Sequence, residues 1–185
     1  MIEKDLTVRR MQDAVKRRDS VTLALVTALK SSLVDVNDSD IEINVEKGVV
    51  FISISDKMVF NSGSNRITPR AKEVLGKVAK IINDKPEFEF MVEGHTDDRP
   101  IRNEMFEDNW DLSVNRATSI VRVLQKEFGV APERMIAAGR SSYMPVDDNE
   151  TASGRTNNRR IRIVLLPKLD QFYSLLDEAM AAAAE

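Results

Sequence analysis

The sequence predicts an α/β (α+β) fold: a two-layer sandwich of a mixed β-sheet with helices on one face, plus an N-terminal helix and a C-terminal amphipathic helix. Two observations carry that expectation. Runs with apolar residues at every second position interleave with runs spaced by three and four, so strands and helices alternate along the chain. The chain has 185 residues, 42% of them hydrophobic, enough for one core of about 120 to 140 residues with appendages.

The first element is a helix over residues 3 to 36. Val8, Met11, Val15, Thr22, Leu25, Leu29 and Val36 follow a 3-4 spacing, with Arg18 and Ser32 at the intervening places. No proline or glycine occurs before Gly48. Two readings fit: a short coiled-coil stalk that makes a homodimer, or a helix that packs one stripe on its own domain. Val36 to Asp40 is a polar break, so the expected domains are 1–36, 41–166 and 167–185.

Ile41, Ile43 and Val45 alternate with polar residues, Glu46-Lys47-Gly48 suits a tight turn, and Val49 to Ile54 is a second apolar run; together they read as a β-hairpin. Met58-Val59-Phe60 follows, then the turn-rich loop Asn61 to Asn65. Thr68 is the expected N-cap of a helix with Pro69 at its first position, and its apolar face runs to about Asn83. Phe88, Phe90 and Val92 mark a strand that stops at Gly94. Residues 95 to 110 read as a charged loop. A helix runs from about Asp111 to Phe128, with Gly129 as its C-terminal stop. Met135 to Ala138 is a short strand, 141 to 158 a second polar loop, and Ile161, Ile163 and Leu165 mark the last strand. Leu169, Phe172, Tyr173, Leu176 and Met180 give the terminal amphipathic helix.

Composition excludes several functions. The net charge of −3 argues against a nucleic-acid binder. The chain has no cysteine, so disulfides and thiolate metal sites are excluded, and one histidine with scattered carboxylates is a poor start for any metal site. No cofactor is expected. No stretch approaches ~20 consecutive apolar residues, and Met1 to Arg10 lacks the apolar core of a signal peptide. Any export signal or membrane anchor is expected to lie in a segment absent from this chain, with Met1 as an added start.

The residues that carry chemistry are charged. Asp97, in Gly94-His95-Thr96-Asp97-Asp98, follows an apolar strand; Arg116, in Leu112-Ser113-Val114-Asn115-Arg116-Ala117, lies near the start of a helix. Opposite charges on rigid elements suit a zwitterion, the carboxylate taking an ammonium and the guanidinium a carboxylate. Cations favour helix C-termini, so Arg116 is misplaced for a purely structural role. The bland alternatives are Asp97 capping its own loop and Arg116 pairing with Asp108 or Asp111. A catalytic reading would join His95 to Asp97 and to Ser113 or Ser141, but no nucleophile elbow is present and no enzyme is expected. Trp110 reads as a rim or packing residue, with stacking on a sugar as the alternative.

Phe60 to Ser64, Val92 to Asp97, Leu112 to Ala117, Ala138-Gly139-Arg140 and Gly154 to Arg160 occur in an order that resembles the OmpA C-terminal-like domain family. That family includes the periplasmic parts of MotB-type flagellar stator proteins and the peptidoglycan-associated lipoproteins. The resemblance covers roughly residues 41 to 166. It implies non-covalent binding of cell-wall peptidoglycan in the periplasm or cell envelope, anchoring the protein to the wall. It places the ammonium of stem-peptide diaminopimelate on Asp97 and its carboxylate on Arg116. Donors near Thr96 and Asp98 and at the helix start, Leu112 and Ser113, would assist, with Asn158 and Arg159 close by. The sequence Asp98-Arg99-Pro100-Ile101 and the long insertion to Trp110 lie nearer the MotB-like branch. The alternative is a MotB-like stator part or a structural envelope lipoprotein in which oligomeric assembly matters more than wall binding.

Overall fold

The computed structural model of the protein describes residues 2–33, 39–61, 66–86 and 88–168. The expected C-terminal helix from Leu169 onward, the break at 36 to 38 and most of the loop over 61 to 65 lie outside the described residues. A helix α1 (Ile2–Leu33) leads into strands β1 (Ile41–Glu46) and β2 (Val49–Ser55). Helices α2 (Asp56–Val59) and α3 (Pro69–Asn83) precede β3 (Phe88–His95). Then come α4 (Asn109–Phe128), a 3-10 turn at Pro132–Arg134, β4 (Met135–Gly139), α5 (Ala152–Asn158) and β5 (Arg160–Pro167).

The five strands form one mixed sheet in the order β1-β2-β5-β3-β4. Only β3 and β4 run parallel; the other neighbours are antiparallel. Register explains how the sheet makes a core. Ile43 lies opposite Ile52, Ile52 opposite Ile163, and Ile163 opposite Val92, one row across four strands. Side chains alternate between faces, so this parity delivers Val50, Ile52, Ile54, Phe88, Phe90, Val92, Ile161, Ile163 and Leu165 to one buried cluster. Helix α3 adds Val74, Leu75, Val78 and Ile82, and α4 adds Ala117, Ile120 and Leu124. The opposite parity carries Ser53, Arg162 and Glu93 to the other face.

Helix α1 has a divided character. Leu25, Leu29 and Leu33 belong to the same buried cluster as the sheet, whereas Val8, Met11 and Val15 are exposed. The packing reading therefore describes its second half, and the first half carries an exposed apolar stripe.

Caps act where the sequence signals them. The Thr68 hydroxyl accepts from the Ala71 N–H at 3.1 Å, and Pro69 opens α3. Three expectations are corrected, and one segment left unassigned takes form. Helix α4 starts at Asn109, two residues before the expected Asp111, because Asp108 caps it, accepting from Trp110 and Asp111 N–H at 2.8 and 3.1 Å. Asp56 to Val59 is a helical turn leading to Phe60, which makes a bridge with Ile67. Strand β3 continues one residue past Gly94, to His95. The second polar loop closes with α5, whose start is held by the Thr151 hydroxyl accepting from Gly154 N–H at 2.9 Å.

Candidate functional site

The end of β3 enters the charged loop at Thr96, and pairing brings the start of β5 alongside, His95 opposite Arg160. Asp97 and Arg159 thus meet although 62 residues apart: an Arg159 Nη1–H donates to Asp97 Oδ2 at 2.6 Å. The other Asp97 oxygen, Oδ1, accepts from Arg99 N–H at 3.1 Å, the turn-capping bond that the bland reading anticipated. Antiparallel pairing of β2 with β5 brings a second carboxylate, since Asp56 N–H donates to Arg159 C=O at 3.0 Å. Arg116 Nη1 lies 2.7 Å from Asp56 Oδ1, and its guanidinium sits over the Phe60 ring, 5.2 Å from the centroid.

The result is a net-neutral quartet of two carboxylates and two guanidiniums. Burial raises the Asp56 carboxyl above its ordinary range, although Arg116 and then Arg159 pull the other way and Asp97 adds to the rise. Burial likewise lowers the Arg116 guanidinium, with Asp56 opposing that shift and Arg159 reinforcing it. Despite the short contact to Asp56, Arg116 Nε and Nη1 are buried with no aligned hydrogen-bond acceptor among the described residues. Buried donors of this kind are costly and rarely left so. Arg116 is positioned by packing and charge, with hydrogen-bonding capacity that a carboxylate would satisfy.

The remaining sequence-predicted residues divide. Thr96 N–H is committed to Ser141 C=O at 3.0 Å and its hydroxyl donates to Asp97 C=O at 2.9 Å, so Thr96 shapes the loop. Asp98 is exposed beside Asp97. Leu112 N–H already donates to Asp108 C=O at 3.2 Å, and Asp108 caps the two residues before it, so the helix start is not an open donor set. Ser113 is fully buried, donates to Trp110 C=O and accepts from Ser141 N–H. Asn158 is fully buried too: its carbonyl accepts from Val146 and Asp147 N–H, and its amide donates to Asp147 C=O and Asn149 Oδ1. Ser113 and Asn158 hold the loops that frame the quartet and are not placed at its surface. Asp56 is the member that sequence reading missed; its signal was a carboxylate directly after an alternating strand. His95 is buried beside Glu93, while Asp97 faces Arg159, so the hypothetical triad is not brought together.

The model of the OmpA family matches residues 59–159, a span that holds Asp97, Arg116, Asn158 and Arg159. This chain belongs to the OmpA family. The matched span is narrower than the resemblance over 41 to 166: β1, β2 and all of β5 fall outside it. Among OmpA-family relatives, Motility protein B of Bacillus subtilis is 33% identical over 119 residues, 64% of this chain and 46% of that protein. The chain therefore spans about half the length of that relative. Of solved structures, the cell wall anchor of the T6SS from Pseudomonas aeruginosa is 28% identical, with a TM-score of 0.68, covering 76% of this chain and 97% of that one. A MotB-like protein from Desulfovibrio vulgaris shares the fold at a TM-score of 0.75 and 22% identity, covering 83% of this chain and 95% of that one. No helix among the described residues is long and apolar enough to cross a membrane.

Proposed function

We propose that this OmpA-family chain binds bacterial peptidoglycan non-covalently and anchors a cell-envelope protein to the wall, recognising diaminopimelate of the stem peptide. The supporting observation is the quartet: a largely buried Arg116 paired with Asp56, its Nε without an acceptor among the described residues, near an Asp97 whose counter-charge is a part-exposed arginine. The α-centre of the diaminopimelate side chain carries an ammonium and a carboxylate. Its ammonium takes the place of the Arg159 guanidinium on Asp97, and its carboxylate completes the hydrogen bonding of Arg116. Because the internal pairs are exchanged rather than added to, the gain is modest. Exposed ion pairs contribute ~1 kcal/mol or less, and partial burial with several hydrogen bonds gives affinity in the micromolar to millimolar range, on the order of 4 to 8 kcal/mol. A lysine-type stem lacks the second carboxylate and leaves Arg116 unsatisfied. The wall placement agrees with a neighbour that is itself a cell wall anchor.

A second reading, a stator part or envelope lipoprotein in which assembly dominates, draws on the exposed Val8, Met11 and Val15 stripe. Calorimetric titration separates the two. Wild type should saturate with a diaminopimelate-containing muropeptide. Asp97→Asn and Arg116→Ala should each weaken binding by roughly 30-fold or more, about 2 kcal/mol, with folding intact. A folded wild type that takes up neither diaminopimelate nor the muropeptide would overturn the wall-binding reading and leave assembly.

A further inference from the structure

Trp110 and Tyr143 are the exposed aromatic pair among the described residues. Trp110 is 48% and Tyr143 72% exposed, yet their rings touch, with centroids 5.6 Å apart and planes tilted by 34°. Two large rings held together in water, on different elements, form a shallow wedge that buries neither. Val114, one turn along α4 from Trp110, is also exposed and extends the apolar strip.

The wedge is fixed by the same bonds that frame the quartet. Trp110 follows Asn109, whose amide donates to Asp97 and Arg99 C=O at 3.4 and 3.0 Å. Tyr143 lies two residues after Ser141, which is bonded to both Thr96 and Ser113. Tyr143 N–H donates to Arg140 C=O, and the half-exposed Arg140 guanidinium is held by Glu93 Oε1 at 3.0 and 2.8 Å. An exposed apolar face one ring wide, next in sequence to the residues that frame the quartet, matches the C–H face of a pyranose. A protein partner would need a patch of about 800 Å², far wider than two rings.

We propose that Trp110 and Tyr143 stack a saccharide ring of the glycan strand whose stem peptide enters the Asp97–Arg116 site. The inference rests on the peptidoglycan reading, and the two can fail separately. Trp110 is the single tryptophan of the chain, so its emission reports on the platform directly.

Three probes are titrated against wild type, Trp110→Ala and Tyr143→Ala: a diaminopimelate tripeptide without sugar, an N-acetylglucosamine oligomer without peptide, and a disaccharide-tripeptide. Wild type should bind the disaccharide-tripeptide roughly 2- to 13-fold more tightly than the tripeptide, the range expected for one aromatic contact. Its tryptophan emission should shift with the disaccharide-tripeptide and not with the tripeptide. In both variants the ratio should fall to about one while tripeptide affinity stays. A ratio of one in wild type, or one unchanged in both variants, overturns the platform and leaves the stem-peptide site standing. Tripeptide that fails to bind while the oligomer still shifts Trp110 emission overturns the diaminopimelate reading and supports the platform.

Discussion

Glu93 and His95 are buried on the sheet face away from the main core, and their shifts give the protein a defined response to acid. Burial tends to raise Glu93, but hydrogen bonds from His95 and Arg140 and the Arg140 charge outweigh it and hold the carboxyl at about 2. The His95 Nε2 contact with Glu93 is 3.4 Å, and Arg140 donates to Glu93 Oε1 at 3.0 and 2.8 Å. His95 itself is lowered from 6.5, chiefly by burial. Both folded-state values lie below the unfolded ones, so each group contributes stability that is present at high pH and lost as pH falls. The expected urea midpoint is flat above pH 6.5, declines below it as the unfolded chain binds a proton at His95, and declines further from 4.5 towards 2 as Glu93 is protonated. His95→Gln should flatten the first decline and Arg140→Gln should weaken the second. A wild-type midpoint that does not change between pH 7 and 5 would refute the His95 part. At this scale Asp97 and Arg116 were legible because a charge directly after a strand, or early in a helix, stands out against local preference. Asp56 was not, because its partner Arg116 is 60 residues away on α4 and only tertiary packing brings them together.

Elements are joined here by close approach, and two glycines separate the causes. A Cβ at Gly94 would lie 2.1 Å from the Ser113 backbone oxygen, so α4 crosses β3 in direct contact at that point. Gly129 has nothing within 4 Å; it is required by its φ of 64° at the left-handed C-cap of α4. Gly94→Ala must displace a helix and should cost about 3 kcal/mol or more, whereas Gly129→Ala meets only backbone strain of about 1 kcal/mol. Thermal unfolding of the two variants should show this ranking. Gly94→Ala should also weaken muropeptide binding, since α4 carries Arg116 and Ser113 anchors the 141 loop. Equal losses would mean that α4 is free to slide on β3. Strands with strict alternation and helices with a clear start and stop were readable in the sequence. Helix α5 was not: Ser153, Gly154, Thr156, Asn157 and Asn158 are weak helix formers, and its form is set by the Thr151 cap and the four hydrogen bonds of Asn158.

For the whole molecule, the question is where the folded OmpA-family unit begins. A sequence division at residue 36 separates a stalk from a domain, because a regular 3-4 pattern does not reveal which of its turns has a partner. Leu25, Leu29 and Leu33 share the core with Ile52 and Val78, whereas Val8, Met11 and Val15 are 51, 44 and 40% exposed. The boundary we expect therefore falls inside α1, near Arg18. Removing residues 1 to 18 should leave the unfolding midpoint close to that of the full chain, while removing 1 to 36 should expose the core and unfold the domain. Leu29→Ala should cost about 2 to 5 kcal/mol, the range for a fully buried leucine. If the first half of α1 pairs two copies, sedimentation of the full chain should show a concentration-dependent dimer that is lost when Val8, Met11 and Val15 become polar. Binding to intact sacculi should then weaken far more than binding to a monomeric muropeptide, because pairing raises avidity on a polymer without altering either site. A chain that stays monomeric throughout would refute pairing through that stripe.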